Sequence, residues 1–157
     1  MSADKNFADA ESKQRTEGAE FLVLGNLLIR GVHANKAQTK YPGWDVFALN
    51  LDSNKPVRIQ VKSKVWLENL TFSVINNDFD FIALVRLNQI SQHAEPSETR
   101  VGTPQYWIIP KEDLESEFTN LKTKSPTSEV KFSLSQLPKI PDFYENNWNL
   151  IIKFLNH

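Results

Sequence analysis

Residues 79–87 constrain the fold more than any other segment, because they are apolar at all but two positions. The run is far shorter than the ~20 residues that span a bilayer, and it lacks the polar–apolar alternation of a half-exposed strand. Such a run is typical of a strand that is buried on both faces of a sheet. A sheet of this kind needs a further layer on each side, so an α/β protein of three layers is predicted.

Two segments show the apolar spacing of helices that can form these layers. Within residues 12–30, Phe21, Leu24 and Leu28 recur at helical spacing. A helix in the tail after residue 143 shows the same spacing through Trp148, Ile151, Ile152 and Leu155. Residues 111–121 are predicted to form a third helix, and Trp148 is assigned to the core.

The remaining strands are predicted around a hairpin. Residues 44–51 and 57–62 are rich in strand-forming residues, and the turn signal at residues 52–56 lets them pair in antiparallel fashion. Short strands at residues 31–38 and 105–109 complete one mixed sheet, with loops at residues 89–104 and 122–129. The length of 157 residues suits a single domain over residues 1–157, with residues 1–10 frayed or loosely helical and so loosely ordered.

The composition excludes several classes of functional site. The chain has no cysteine, which excludes disulfide scaffolds, zinc–thiolate sites and cysteine nucleophiles. The three histidines lack metal-ligand spacing, and the chain has neither a phosphate-binding glycine loop nor a nucleophile elbow. The N-terminal residues lack the apolar core of a signal peptide, and no apolar run has the length of a membrane span. We therefore expect a soluble, cytoplasmic protein.

Positive charge is concentrated in one part of a chain whose net charge is -1. Residues 30–64 contain seven Lys and Arg residues against two acids. A local basic zone of this kind can bind a polyanion such as DNA. We therefore expect nucleic-acid contacts from Lys36, Lys40 and Lys64, although a solvated hairpin with ordinary surface lysines fits the same pattern.

The predicted hairpin brings together residues with the chemistry of a metal site. Gln60 and Lys62 point to one face, because side chains alternate along a strand, and Asp45 opens the partner strand beside them. Mg²⁺ prefers oxygen ligands, usually one or two carboxylates completed by water and phosphate. Asp45 and the side-chain carbonyl of Gln60 can supply such oxygens. The Lys62 ammonium can orient water or stabilise charge that develops on a phosphate.

Glu20 is the fourth candidate, because it borders the apolar face with which the first helix must pack on the sheet. A carboxylate in that position is unfavourable unless something pairs with it, and a metal or Lys62 is the expected partner. If the helix is rotated by about one residue, Glu20 becomes a surface residue and Glu17 is the next candidate.

Glu20, Asp45 and the Gln60-x-Lys62 pair together resemble the PD-(D/E)xK nuclease superfamily, and residues 18–23 resemble its helix signature. The resemblance is to the archaeal Holliday-junction-resolvase-like and methylation-dependent-restriction-like branches, and it covers the hairpin core and, more loosely, the whole chain. It implies a restriction-endonuclease-like α/β fold with a central mixed sheet flanked by helices. It also implies Mg²⁺ or Mn²⁺ held by Asp45, Gln60 and Glu20, cleavage of DNA in defence or DNA processing, and a homodimer.

The sequence departs from the superfamily pattern at two positions. Trp44 stands where the motif has proline, and Gln60 stands where most members have an acid. The neutral Gln60 keeps a second interpretation open, in which a nuclease fold without catalytic activity binds nucleic acid or a protein partner. Gln60 and Lys62 are also compatible with an ordinary solvated strand face.

Overall fold

The computed structural model describes residues 2–38, 43–65, 71–75, 78–91, 96–115 and 129–157. Its helices are α1 (Ser2–Ile29), α2 (Pro141–Tyr144) and α3 (Asn149–Leu155), with short 3-10 helices at Pro96–Glu98, Lys111–Leu114 and Leu134–Gln136. Its strands are β1 (His33–Lys36), β2 (Val46–Leu49), β3 (Pro56–Lys64), β4 (Thr71–Val74), β5 (Phe81–Arg86), β6 (Gln89–Ser91), β7 (Arg100–Val101), β8 (Gln105–Pro110) and β9 (Val130–Ser133).

A five-stranded mixed sheet with the order β1-β2-β3-β5-β8 forms the centre of the structure. Strands β1, β2 and β3 pair in antiparallel fashion, β3 and β5 pair in parallel, and β8 returns antiparallel to β5. The first five residues of β5 are all buried, as its apolar run predicts. The α/β fold with a central mixed sheet flanked by helices and the β2–β3 hairpin are therefore both confirmed.

The two faces of the sheet are covered by different structures. On one face, Ala19, Val23 and Leu27 of α1 pack against the apolar side chains of β3, and Trp148 and Ile151 join the same core. The opposite face carries Ile82 and Leu84 of β5 and is covered by the β4–β9 ribbon, the short helices and Tyr144. Trp148 is buried, as predicted.

Helix α1 starts earlier than predicted and packs with a different face. It begins at Ser2, so residues 2–10 belong to the helix. The fully buried residues are Ala19, Val23 and Leu27, whereas Phe21 and Leu28 are 55% and 50% exposed. Apolar residues surround much of this helix, so spacing alone does not fix which face is buried. The end of the helix follows the sequence: Gly31 has φ 78°, and Val32 N–H donates to the Leu27 carbonyl at 3.1 Å.

Several loops and short elements also differ from expectation. Residues 89–104, predicted as a loop, contain the β6–β7 ribbon and a 3-10 turn. Strands β4 and β9 were not predicted, because four-residue strands give a weak pattern. Residues 111–114 of the predicted helix form a 3-10 helix and Glu115 is α-helical, whereas residues 116–128 lie outside the described residues. Strand β2 is shorter than the predicted strand over residues 44–51.

None of the helices in the described ranges is long and apolar enough to cross a bilayer.

Replacing Leu27 with alanine tests the orientation of α1. Leu27 is fully buried, so Leu27→Ala is expected to lower the free energy of unfolding by about 2–5 kcal/mol. The neighbouring Leu28→Ala is the matched control, and because Leu28 is half exposed it is expected to cost about 1 kcal/mol or less. Urea unfolding of the two variants measures both values, and equal losses would contradict the observed helix orientation.

Candidate functional site

Asp45 caps the end of the β2–β3 ladder. Strand β2 begins at Val46, opposite Ile59, so Val61 extends beyond the paired region. The Asp45 N–H donates to the Ile59 carbonyl at 2.9 Å, and Asp45 Oδ2 accepts the Val61 N–H at 2.7 Å. Because strand N–H groups point along the sheet plane, this bond holds the carboxylate at the edge between the two faces. Two residues before Asp45, the backbone of Gly43 has a φ of 101°, which few other residues adopt.

Gln60 and Lys62 lie on the face of β3 that is opposite to α1. Val57, Ile59 and Val61 are buried in the α1 core, so the alternate residues point away from it. Extending the β2–β3 register by one step places position 60 opposite position 45. Gln60 Oε1 is buried and accepts no hydrogen bond from any described residue. A buried acceptor without a donor is rare in folded proteins and suits an atom that meets a ligand.

Glu20 is paired with Lys36, a partner that the sequence analysis did not consider. Lys36 Nζ lies 3.1 Å from Glu20 Oε2 and 2.6 Å from Glu17 Oε1. The Glu20 side chain is 14% exposed and that of Glu17 is 60% exposed, so Glu20 is the carboxylate at the packed border of α1. In the described structure Lys36 is the partner of Glu20, rather than the expected Lys62, because β1 places Lys36 against α1.

The charges of Glu20, Lys36, Asp45 and Lys62 act on one another, and together with Gln60 we call these residues the strand-end cluster. Burial raises the pKa of Asp45, while the Val61 N–H and the charges of Lys62 and Lys36 oppose the shift. Burial also raises the pKa of Glu20, where Lys36 opposes the shift and Asp45 adds to it. Burial lowers the pKa of Lys62 against the attraction of Asp45 and Glu129. Burial therefore disfavours the charged forms of Asp45, Glu20 and Lys62.

The donor atoms of the cluster can be tested against the cation that the family resemblance implies. Within the described ranges, no three Asp, Glu, His or Cys side chains form a group that could hold a metal ion. The cluster offers two carboxylates and one amide oxygen, and the amide oxygen is the buried acceptor without a donor. Mg²⁺ and Mn²⁺ take such oxygen ligands and complete their shells with water and phosphate. The oxygen chemistry of these groups therefore fits a divalent cation, with fewer carboxylates than a closed site has.

Two cations of the basic segment, residues 30–64, form salt bridges with acids of the chain, which the sequence did not indicate. Lys36 binds Glu17 and Glu20, and Arg58 binds Asp78 and Asp80. Lys40, a predicted DNA contact, lies outside the described residues. Lys64, the third predicted contact, ends β3 and stands directly opposite Arg86 in the parallel β3–β5 pair.

Arg86 is a candidate that the sequence analysis missed. Alternation along β3 and β5 puts Lys64 and Arg86 on the same face as Gln60 and Lys62. Neither cation has an acidic partner among the described residues, and Arg86 Nε donates to Asn88 Oδ1. Only the parallel register of β3 and β5 could reveal this pair, because the residues are far apart in the sequence. The attraction between Glu129 and Lys62 could likewise not be predicted, because the two residues are far apart in the sequence.

Replacing Asp45 with asparagine tests the electrostatic strain of the cluster. A carboxyl with a raised pKa binds its proton more tightly in the folded chain, so stability falls as pH rises from the ordinary value of 3.8 through the raised value. The stability of Asp45→Asn relative to wild type is therefore expected to increase as pH rises across this window. Urea unfolding between pH 3 and 7 measures it, with the exposed Asp52→Asn as control. A difference that stays constant with pH would contradict the effect of burial on Asp45.

Comparison with known proteins gives a likeness to a solved structure. No protein-family model and no curated protein sequence matches the chain. Among solved structures, the bacterial homing endonuclease I-Ssp6803I is similar over 91% of this chain and 93% of its own, with a TM-score of 0.50 and 17% sequence identity. At this identity the likeness concerns the fold alone. The chain thus shares an α/β fold that is also found in a homing endonuclease.

Proposed function

We propose that the chain is a metal-dependent nuclease of the PD-(D/E)xK type that hydrolyses phosphodiester bonds of DNA. The observation that carries the proposal is the buried Gln60 Oε1 without a hydrogen-bond donor, opposite the position of Asp45 and two residues before Lys62. Three further features support it: the fixed Asp45 carboxylate, the nearby Glu20, and a fold shared with a homing endonuclease.

Four residues of the strand-end cluster have a role in this proposal. Asp45 and Gln60 hold the cation through oxygen atoms, with Glu20 as the second carboxylate. A bound Mg²⁺ or Mn²⁺ supplies charge neutralisation at the phosphate and a more acidic water. The Val61 N–H fixes one oxygen of Asp45, which leaves Oδ1 for the cation. Lys62 stabilises the extra negative charge of the phosphate from the face that Gln60 shares.

Lys64 and Arg86 are the proposed contacts with the DNA backbone. Two cations side by side on neighbouring strands repel each other, so a bound anion such as a phosphate would relieve the repulsion. Their face continues from Gln60 and Lys62 toward the ends of β3 and β5, so a strand bound there would lead into the cluster. The predicted contact Lys40 is retained in this proposal, whereas Lys36 is already bound to two carboxylates.

A non-catalytic nucleic-acid-binding module is the second candidate function. The neutral Gln60 and the lack of a group of three acids among the described residues favour it. A site with two carboxylates attracts a cation less strongly than one with three. The two candidates differ in whether the chain binds a divalent cation and cleaves DNA.

Nuclease assays of cluster variants test the catalytic proposal. Asp45→Asn and Lys62→Met are each expected to lower cleavage at least about 100-fold, because each removes a group that acts on the reacting phosphate or its cation. Gln60→Glu is expected to strengthen metal binding by adding a negative charge. Cleavage is measured on duplex, single-stranded and branched DNA with Mg²⁺ and with Mn²⁺, and Mn²⁺ is expected to support more activity.

Lys55→Met is the control for these assays, since Lys55 lies in the turn at the other end of the β2–β3 hairpin. It is expected to cleave at the wild-type rate. Cleavage that persists in Asp45→Asn would exclude this site, and absence of cleavage by both wild type and Gln60→Glu would favour the binding module.

The salt dependence of DNA binding tests the role of Lys64 and Arg86. Each phosphate contact contributes roughly 0.9 to the slope of log affinity against log salt concentration for duplex DNA. Lys64→Ala and Arg86→Ala are each expected to reduce the slope by about this amount and to weaken binding to all sequences alike. Fluorescence anisotropy at several salt concentrations measures both, with Lys55→Ala as control. Unchanged slopes would show that neither Lys64 nor Arg86 contacts the DNA backbone.

A further inference from the structure

Lys36 links helix α1 to the strand-end cluster. It is the last residue of β1 and pairs with Val46, the residue after Asp45. Its ammonium contacts two carboxylates one helical turn apart, Glu17 at 2.6 Å and Glu20 at 3.1 Å. Its charge also opposes the rise that burial causes in the pKa of Asp45. One ammonium therefore acts on three carboxylates.

The surroundings of Lys36 hold its ammonium in place. Nζ lies 4.6 Å from the centroid of the Phe21 ring, so α1 contacts the ammonium through three side chains. Only 22% of the Lys36 side chain is exposed. A lysine that binds the DNA backbone keeps its ammonium available to phosphate, whereas this one is enclosed by acids and a ring.

We propose that Lys36 is an internal counter-ion of the metal site, which neutralises Glu20 in the metal-free chain and must release it when a divalent cation binds. This inference rests on the proposed function, because it takes Glu20 and Asp45 as metal ligands. An ammonium has three N–H donors, so it can bind Glu17 and Glu20 together while its charge balances that of Glu20. Lys36 is thus a positioning residue that sets how tightly the site binds metal.

Glu17 gives the released ammonium a second partner. Its carboxylate is 60% exposed and makes the shorter of the two contacts with Lys36. When Glu20 turns to a cation, Lys36 remains bound to Glu17, and the two positive charges move apart. Metal binding must then break the Glu20–Lys36 ion pair, which lowers the metal affinity of the chain. Removal of the ammonium should therefore raise that affinity.

Calorimetric titration of the full chain with Mn²⁺ tests the inference. Lys36→Met is expected to bind Mn²⁺ about tenfold more tightly than wild type, because one nearby positive charge is lost in a partly dry site. Lys36→Arg keeps the charge and is expected to bind like wild type. Lys55→Met, which makes the same change in net charge at the far end of the hairpin, is the matched control and is expected to leave the affinity unchanged. In the Glu20→Gln background, Lys36→Met should raise the affinity far less.

Thermal unfolding gives a second readout that does not depend on cleavage. Without metal, Lys36→Met leaves the acids of the cluster unbalanced, so its melting temperature is expected to fall below that of wild type. Added Mn²⁺ should raise the melting temperature of the variant more than that of wild type, because it binds the folded variant more tightly. If Lys36→Met does not fold, Lys36→Gln serves for the same measurements.

The outcomes separate this inference from the proposed function. If wild type binds Mn²⁺ and Lys36→Met binds it equally or more weakly, Lys36 is not a counter-ion, while the metal site stands. If neither chain binds Mn²⁺, the metal-dependent function fails and the inference fails with it. If Lys36→Met changes only the affinity for DNA, Lys36 is a phosphate contact and the inference is overturned.

Discussion

The alternation of side chains along β3 is the constraint on which both the core and the candidate site depend. Val57, Ile59 and Val61 are buried beneath α1, so Gln60, Lys62 and Lys64 must point to the other face. A shift of one residue would bury those polar residues in the α1 core, which strongly fixes the register. Parallel pairing with β5, whose two faces are both buried, holds β3 in place from the other side.

The strand-end cluster contains charged groups whose partial burial gives the protein little stability. The carboxylates of Asp45 and Glu20 are partly buried, and burial shifts the pKa of each in the direction that opposes ionisation. The Val61 N–H and the Lys36 ammonium offset part of that penalty. Apolar residues at these positions would avoid the penalty altogether, so the cluster is most simply explained by a function that needs negative oxygens there.

The charge distribution in three dimensions differs from that along the chain. Two cations of the segment rich in Lys and Arg pair with acids that lie elsewhere in the sequence. Lys36 binds two acids of α1, and Arg58 binds Asp78 and Asp80. On the site face, Lys64 of β3 lies beside Arg86 of β5, a cation that a count over residues 30–64 leaves out. A count of charges within a segment therefore indicates neither how many cations are free nor on which face they lie.

Local pattern in the sequence was sufficient for the central sheet and for the face on which Gln60 and Lys62 lie. The continuous apolar run predicted the buried strand β5, the turn signal predicted the β2–β3 hairpin, and the Gln60-x-Lys62 spacing put both side chains on one face. Each of these features depends on residues that are close in sequence, so the spacing of apolar and turn-forming residues is enough to predict it. Tertiary packing alone decided that α1 buries Ala19, Val23 and Leu27, since apolar residues on several sides of a helix leave its orientation open. It also decided that Lys36 binds Glu20 and that Arg86 stands beside Lys64, because such pairs form between elements whose docking no local pattern encodes.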